Sequence, residues 1–147
     1  MYDNWQKLAL IVKRSLLKSN SMKIIRTHKD LEVYQLAFNT ANRIYKISKL
    51  FPKEELYSLT DQIRRSSRSV AANITEAFRK RKYEKAFILK LSDAESEAAE
   101  TQVWLDFSLN CKYISIEEHE ELYKIYNRIL GMLVRMALHP EQWSFGR

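Results

Sequence analysis

From Asp30 to Leu138 apolar residues recur at alternating three- and four-residue intervals, and almost nothing interrupts them. The 147-residue chain contains two glycines and two prolines, against average usages of roughly 7% and 5%. A chain so poor in turn formers has little material for β-hairpins or glycine-rich loops, while the interval is that of one face of an α-helix. Hydrophobic residues make up 46% and charged residues 29%. A chain of this size buries roughly 68–70% of its unfolded surface, enough for one compact, mostly helical domain.

Four helices follow in order. In the first, Leu31, Tyr34, Phe38, Ala41, Tyr45 and Ser48 form one stripe. Asp30 is the expected N-cap and Phe51-Pro52 the stop, because the residue before proline is pushed out of the α region. Ser58 opens the second, with Asp61 three residues on in a capping-box-like arrangement. Its stripe is Leu59, Ile63, Ser66, Val70, Asn73 and Ala77, small and polar enough for close helix approach. Helical pattern resumes at Tyr83, Phe87, Leu91, Ala94, Ala98 and Leu105 and ends near Asn110. One unbroken helix over residues 59–110 would be roughly 78 Å long, too long for this domain, so the break is placed at Arg79-Lys80-Arg81-Lys82. A capping box, Ser115-Ile116-Glu117-Glu118, opens the last helix. It runs through Leu122, Tyr126, Ile129, Leu133 and Met136 to His139-Pro140. Similar lengths and short connections predict an all-α, antiparallel up-down-up-down four-helix bundle. The bundle occupies residues 24–138, between a basic extension at 1–23 and a tail at 139–147.

The formal net charge of +7 is unevenly spread. Residues 1–29 carry +6, residues 43–90 carry +8, and residues 91–121 reverse to −8. Either the basic part meets an anionic ligand, or opposite charges meet between copies of the protein. No stretch approaches the roughly 20 apolar residues needed to span a membrane. The apolar run Leu8 to Val12 is flanked by Lys7, Lys13 and Arg14, which is not the order of a secretory signal. Asn4 to Leu17 has the pattern of a short basic amphipathic helix suited to a membrane surface or partner. The plainer reading, which is favoured, is a disordered extension, or an upstream in-frame start with Met22 opening a shorter product. The single cysteine, Cys111, excludes an internal disulfide framework and fits a cytoplasmic location.

Four segments together resemble the four-helix bundle proteins of the 23S rRNA intervening-sequence family. They are Asp30-Leu31-Glu32-Val33-Tyr34-Gln35-Leu36-Ala37, Phe51-Pro52-Lys53-Glu54-Glu55, Leu59 to Ser67 (Leu-Thr-Asp-Gln-Ile-Arg-Arg-Ser-Ser) and Val70-Ala71-Ala72-Asn73-Ile74-Thr75-Glu76. Tyr113-Ile114-Ser115 before the Glu-rich helix start also fits, so the resemblance covers roughly residues 24–138. It implies assembly into a homopentamer and reading frames that often lie within 23S rRNA gene insertions. Distant relatives include the accessory variability protein of diversity-generating retroelements, a basic pentameric bundle that binds nucleic acid and partners a reverse transcriptase. By that analogy, which is one of fold, nucleic acid is the expected ligand and a reverse transcriptase a candidate protein partner. Where the family tends to have Glu-Gly-x-Gly-Arg, this chain has Glu76-Ala77-Phe78-Arg79-Lys80. Without either glycine, the second helix is expected to lengthen or its turn to alter.

The candidate nucleic-acid-binding residues are Arg64, Arg65, Arg68, Arg79, Lys80, Arg81 and Lys82. Arg64 and Arg68 lie one helical turn apart, and Arg79 falls about 20° from Arg68 around the axis. The ridge suits tracking of phosphates without base reading. Its other reading is a solvated face, or ion pairs to Asp93, Glu95, Glu97 and Glu100. Asn73 is expected to fix helix register as a buried amide. Trp104, Phe107, Tyr113, Tyr123 and Tyr126 are expected in the core or a subunit interface rather than as base-stacking platforms.

No catalytic residue stands out. His28, His119 and His139 are scattered, and His119-Glu120-Glu121-Leu122-Tyr123 lacks the second histidine of a zinc-binding HExxH. No Glu-x-x-His of a di-iron bundle occurs, and Gly131 and Gly146 cannot build a phosphate-cradling loop. No enzyme, metal or cofactor is expected. Two functions remain: a homo-oligomeric bundle binding RNA or DNA, and a structural or protein-interaction module using its charged faces for assembly.

Overall fold

The computed structural model describes residues 24–144, together with Gln6, Lys7, Ala9 and Leu10. The segment Asn4 to Leu17, apart from those four residues, and Gly146 lie outside the described residues. Four long helices carry the fold: α1 (Glu32–Ser48), α2 (Leu59–Lys80), α3 (Glu84–Asn110) and α4 (Ile116–Leu138). Short 3-10 turns precede α1, precede α2 and follow α4, and no strand occurs among the described residues. Each helix packs on its neighbour in sequence, and α1 closes the bundle against α4.

The core follows the apolar stripes in three of the helices. Phe87, Leu91, Ala94, Ala98 and Leu105 of α3 are buried, as are Leu122, Tyr126, Ile129, Leu133 and Met136 of α4. In α2 the buried face includes Leu59, Ile63, Ser66, Val70, Ile74 and Ala77. Fully enclosed alanines (Ala77, Ala94 and Ala98) offer little bulk between α2 and α3, so those backbones can approach closely.

The first helix departs from expectation. Its buried face is Val33, Ala37, Thr40, Ala41, Ile44 and Ser48, turned about 80° from the predicted stripe, a little under one residue's worth of rotation. Leu31 just ahead of the helix, Ala41 and Ser48 are buried as predicted. Phe38 is exposed and stacks on half-buried Tyr34 at 5.8 Å. Tyr45 is half-buried at the rim. The large rings dominate a hydropathy pattern, yet small residues fit the inter-helix space and leave the rings along its edge.

Two caps also differ. Leu31, not Asp30, is the N-cap of α1. The Asp30 carboxylate instead accepts hydrogen bonds from the Arg26 and Thr27 backbone amides at 2.9 and 2.8 Å, closing the preceding turn. Ser58 is the N-cap of α2, but Asp61 does not complete a box. Glu55 serves there, its Oε2 accepting from Leu59 N at 3.1 Å and Ser58 Oγ at 2.6 Å. At α4 the reciprocal box forms as predicted, with Glu118 N donating to Ser115 Oγ and Ser115 N to Glu118 Oε2.

The second and third helices break where the basic run lies. Helix α2 continues through Lys80, and Tyr83 N donates to Lys80 O at 2.8 Å to close the turn. Arg81 stays in the right-handed region and Tyr83 is extended, so the turn needs no glycine. Tyr83, expected at the head of the α3 stripe, is the N-cap and is 61% exposed. The extended backbone of an N-cap turns its side chain away from the helical stripe.

Helix register is held by polar pairs that the sequence pattern did not single out. Thr101 Oγ1 lies 2.9 Å from Ser66 Oγ between α3 and α2, both residues fully buried. Gln102 Nε2 donates to Asn127 Oδ1 at 2.8 Å between α3 and α4. Asn73, expected in that role, is half-buried, and its Nδ2 donates to Ser69 O of its own helix at 3.0 Å.

Candidate nucleic-acid interface

The seven basic candidates fall into three settings. Arg64 and Arg68 project from α2 towards α1, where the Tyr45 ring lies beneath them. Their guanidinium carbons are 4.8 and 5.2 Å from the ring centre, and Lys49 Nζ is 4.8 Å from it. A negative ring face attracts such cations, by ≈ 0.5–1 kcal/mol each at exposed sites. Arg64 Nε also donates to Ser48 Oγ at 2.7 Å, and Ser48 is 2% exposed. That bond anchors the arginine stem to the bundle. Beside it lies a shallow depression of about 480 Å³ lined by Asp61, Arg64, Arg65, Arg68, Ser69 and Ala72.

Arg65 points the other way. Its Nη2 donates to Glu100 Oε1 at 2.8 Å and to Gln62 Oε1 at 3.2 Å, and its Nη1 is 3.8 Å from Glu97 Oε1. At 100° per residue, neighbours in a helix cannot share a face, so Arg65 is drawn to acidic α3. Burial and the neighbouring Glu100 charge raise the Glu97 carboxyl above the ordinary range, while Arg65 works in the opposite direction.

Arg79, Lys80, Arg81 and Lys82 form the third setting, the corner between α2 and α3. Arg79, Lys80 and Lys82 are exposed. Arg81 folds back, its guanidinium 3.8 Å from the Phe78 ring and its Nη1 donating to Phe78 O at 2.7 Å. Burial, with a smaller contribution from the Arg79 charge, lowers the Arg81 pKa. These cations sit at the carbonyl end of α2, whose partial negative charge favours them.

Among the described residues, Arg64, Arg68, Arg79, Lys80 and Lys82 form no ion pair, and neither does Lys49. Other cations provide the pairing within the bundle: Arg43 with Glu121 at 2.6 Å, Lys90 with Glu76 at 2.8 Å, and Arg128 with Glu32. Within the acidic segment, Asp93, Glu100 and Glu121 are paired by Lys90, Arg65 and Arg43, without drawing on the Tyr45 cluster or the corner.

The aromatic candidates separate by burial. Tyr126 is fully buried, while Trp104, Tyr113 and Tyr123 are half-buried. Trp104 Nε1 donates to Glu100 at 3.2 Å, and the Tyr113 hydroxyl donates to Glu55 at 3.2 Å. Phe107 is 52% exposed. The histidines stay apart: His28 packs edge-on to Tyr34, His119 Nε2 lies 2.7 Å from Asp106, and His139 lies beside Glu141. No cluster of three or more His, Cys, Asp or Glu suited to a metal occurs among the described residues. Nor is any described helix long and apolar enough to cross a membrane. Cys111 is the exposed C-cap of α3.

Sequence reasoning missed Lys49, Tyr45 and Tyr83 as members of this surface. The Tyr45–Lys49 pair was accessible in principle, because residues four apart on a helix face each other. The pairing of Ser48 with Arg64 depends on how α1 packs against α2, which no local spacing reveals.

The model of the 23S rRNA-intervening sequence protein family matches residues 29–135, a span that holds all seven candidates. The chain belongs to that family. Among solved structures, it is similar to a protein of unknown function from the S23 ribosomal protein family of Bacteroides thetaiotaomicron. The two are 31% identical, with a TM-score of 0.66, over 72% of this chain and 95% of that one. No curated protein matches the sequence. Family membership accounts for the helical bundle, while the chemistry of the surface lies in this chain's own residues.

Proposed function

We propose that this member of the 23S rRNA-intervening sequence protein family is a non-catalytic bundle that binds the phosphate backbone of RNA or DNA. Lys49, Arg64 and Arg68 around Tyr45 form one contact region, and Arg79, Lys80 and Lys82 form the other. The observation that carries this reading is the clustering of these cations in two patches with no ion pair among the described residues, whereas Arg43, Arg65, Lys90 and Arg128 are paired within the bundle. Arg68 and Arg79 are about 17 Å apart along the axis at 1.5 Å per residue, on nearly the same side of α2. Cations so arranged contact phosphates without sequence readout.

The test is a gel-shift titration at about 150 mM salt, where non-specific electrostatic binding is already weakened. Replacing Arg79, Lys80, Arg81 and Lys82 with neutral residues is expected to weaken retention of RNA or duplex DNA. It should also flatten the salt dependence, by about 0.9 in logarithmic slope for each duplex phosphate that the protein no longer neutralises. Binding equal to that of the unaltered protein would sink the proposal.

A second reading, self-association, has its own support. The solvent side of α3 repeats Leu89, Ser92, Ser96, Ala99, Val103 and Phe107, all exposed or half-buried and mostly small or apolar. Leu89 is 63% and Val103 46% exposed. Spacings of three and four residues make this a second helix-packing seam, suited to another copy in the five-membered ring that the family resemblance implies. A ring would repeat the basic surface and add avidity. Light scattering of the unaltered protein and of Val103→Lys tests it: an assembly that Val103→Lys dissociates is expected, and a monomeric unaltered protein would refute it.

A further inference from the structure

We infer that the α2–α3 corner takes an unpaired nucleotide, its base stacking on Tyr83 while Arg79, Lys80 and Lys82 hold the flanking phosphates. The inference rests on the nucleic-acid reading above and names the class of nucleic acid that this corner selects.

Tyr83 is an unusual place to expose a ring. It is 61% exposed at the tip of a tight turn, with Lys82 Nζ 4.9 Å from its ring centre. The other exposed rings among the described residues have different surroundings. Tyr57, 91% exposed, lies near the opposite end of α2, close in sequence to Glu54 and Glu55. Phe107 tilts against Trp104 at 5.8 Å on acidic α3, and Phe38 stacks on Tyr34. Tyr83 therefore joins a solvent-exposed ring, with Lys82 over one of its faces, to a concentration of positive charge.

Single strands are bound by that combination: a basic track for the backbone and an aromatic ring for the base. A paired base inside a duplex cannot reach the ring, because both its faces are already stacked within the helix. Arg81 adds a second flat surface, since its guanidinium is held 3.8 Å from the Phe78 ring and tied to the Phe78 carbonyl. Guanidinium planes also stack on unpaired bases. Burial lowers the Arg81 pKa, and the like charge of Arg79 adds a smaller effect of the same sign, which an incoming phosphate would offset.

The experiment compares oligouridylate with a blunt RNA duplex at about 50 mM salt, where electrostatic contacts are strong. The full chain, Tyr83→Ala, Tyr83→Phe and a variant with residues 79–82 neutralised are each titrated by fluorescence anisotropy. Circular dichroism melting confirms that each variant folds. Tyr83→Ala is expected to weaken oligouridylate binding about tenfold or more, with duplex binding unchanged and Tyr83→Phe close to the unaltered protein. Tyr83→Ala binding oligouridylate normally would overturn this inference, while weaker binding by the neutralised variant would leave the broader proposal standing. An equal reduction on strand and duplex would also overturn it, because stacking cannot act on the paired bases. Failure of the unaltered protein to bind either probe would overturn both.

Discussion

The guanidinium of Arg64 lies 4.8 Å from the centre of the Tyr45 ring, which makes a rim aromatic of α1 the seat of a cation from α2. The ring is shared with Arg68 and Lys49, so one side chain organises three charges that would otherwise repel and spread. Tyr45→Phe retains the ring face and is expected to keep both stability and nucleic-acid binding. Tyr45→Ala is expected to cost about 1–2 kcal/mol in chemical denaturation, since cation–π contacts are worth ≈ 0.5–1 kcal/mol each at exposed sites. It should also weaken gel-shift retention, because the freed arginines lose entropy on binding that the ring had already removed.

Arg64 with Arg68, on the one hand, and Arg65, on the other, should respond in opposite ways. Arg65 is about half-exposed and paired with Glu100 at 2.8 Å. Arg65→Ala is therefore expected to lower stability by at most about 1 kcal/mol and leave nucleic-acid binding nearly intact. The double change Arg64→Ala with Arg68→Ala should reduce the logarithmic salt slope on duplex by about 2, one phosphate per arginine. A salt titration of both variants beside urea denaturation separates the two roles. Equal salt slopes would refute the division.

The carboxylates give pH dependence of two signs. Burial and the Glu100 charge raise Glu97 above its ordinary value, and burial raises Glu95. A carboxyl whose folded pKa is raised costs stability when ionised, so the fold gains as pH falls through that raised value. Glu55 and Glu121 are lowered, chiefly by hydrogen bonds from Ser58 and Arg43 respectively. Their contribution is present above the unfolded pKa and is lost as pH falls through the folded one. Glu97→Gln should therefore raise the melting temperature at pH 7. That advantage should shrink towards about pH 4, where the native carboxyl also protonates. Glu55→Gln should lower the melting temperature at pH 7 and converge with the unaltered protein in acid. Scanning calorimetry across that range checks both directions.

The distribution of legible and illegible features has a physical pattern. Elements set by local rules were readable: the Ser115–Glu118 box, the break at Arg79–Lys82, and the stripes of α3 and α4, where apolar bulk and burial coincide. The failures came where helix packing decided. Phe38 and Tyr45 look like core by hydropathy, yet Ala37, Ala41 and Ile44 take the inside of α1. Arg64 and Arg65 are adjacent and identical in type, and only the positions of α1 and α3 send one to Ser48 and the other to Glu100. Asn73 and Thr101 are both polar residues on their helices' inner sides, but of the two only Thr101 meets a partner across the helices, at Ser66.

The scarcity of glycine leaves one local cost in the backbone. Among the described non-glycine residues, Lys112 alone has a positive φ, 61°. It closes α3: Lys112 N donates to Leu109 O at 2.9 Å and Tyr113 N to Ser108 O at 2.8 Å, the paired bonds of a Schellman motif. Glycine normally takes this position, because a Cβ in the left-handed region costs roughly 1–2 kcal/mol. Lys112→Gly removes that strain but adds freedom to the unfolded chain, an opposing effect of about 0.4–1 kcal/mol. The net expectation is a stabilisation of about 0.5–1 kcal/mol, read as a higher urea midpoint with an unchanged slope. Lys112→Ala should show no comparable gain, since it keeps the Cβ. A midpoint for Lys112→Gly at or below that of Lys112→Ala would mean that relief of backbone strain does not govern this turn.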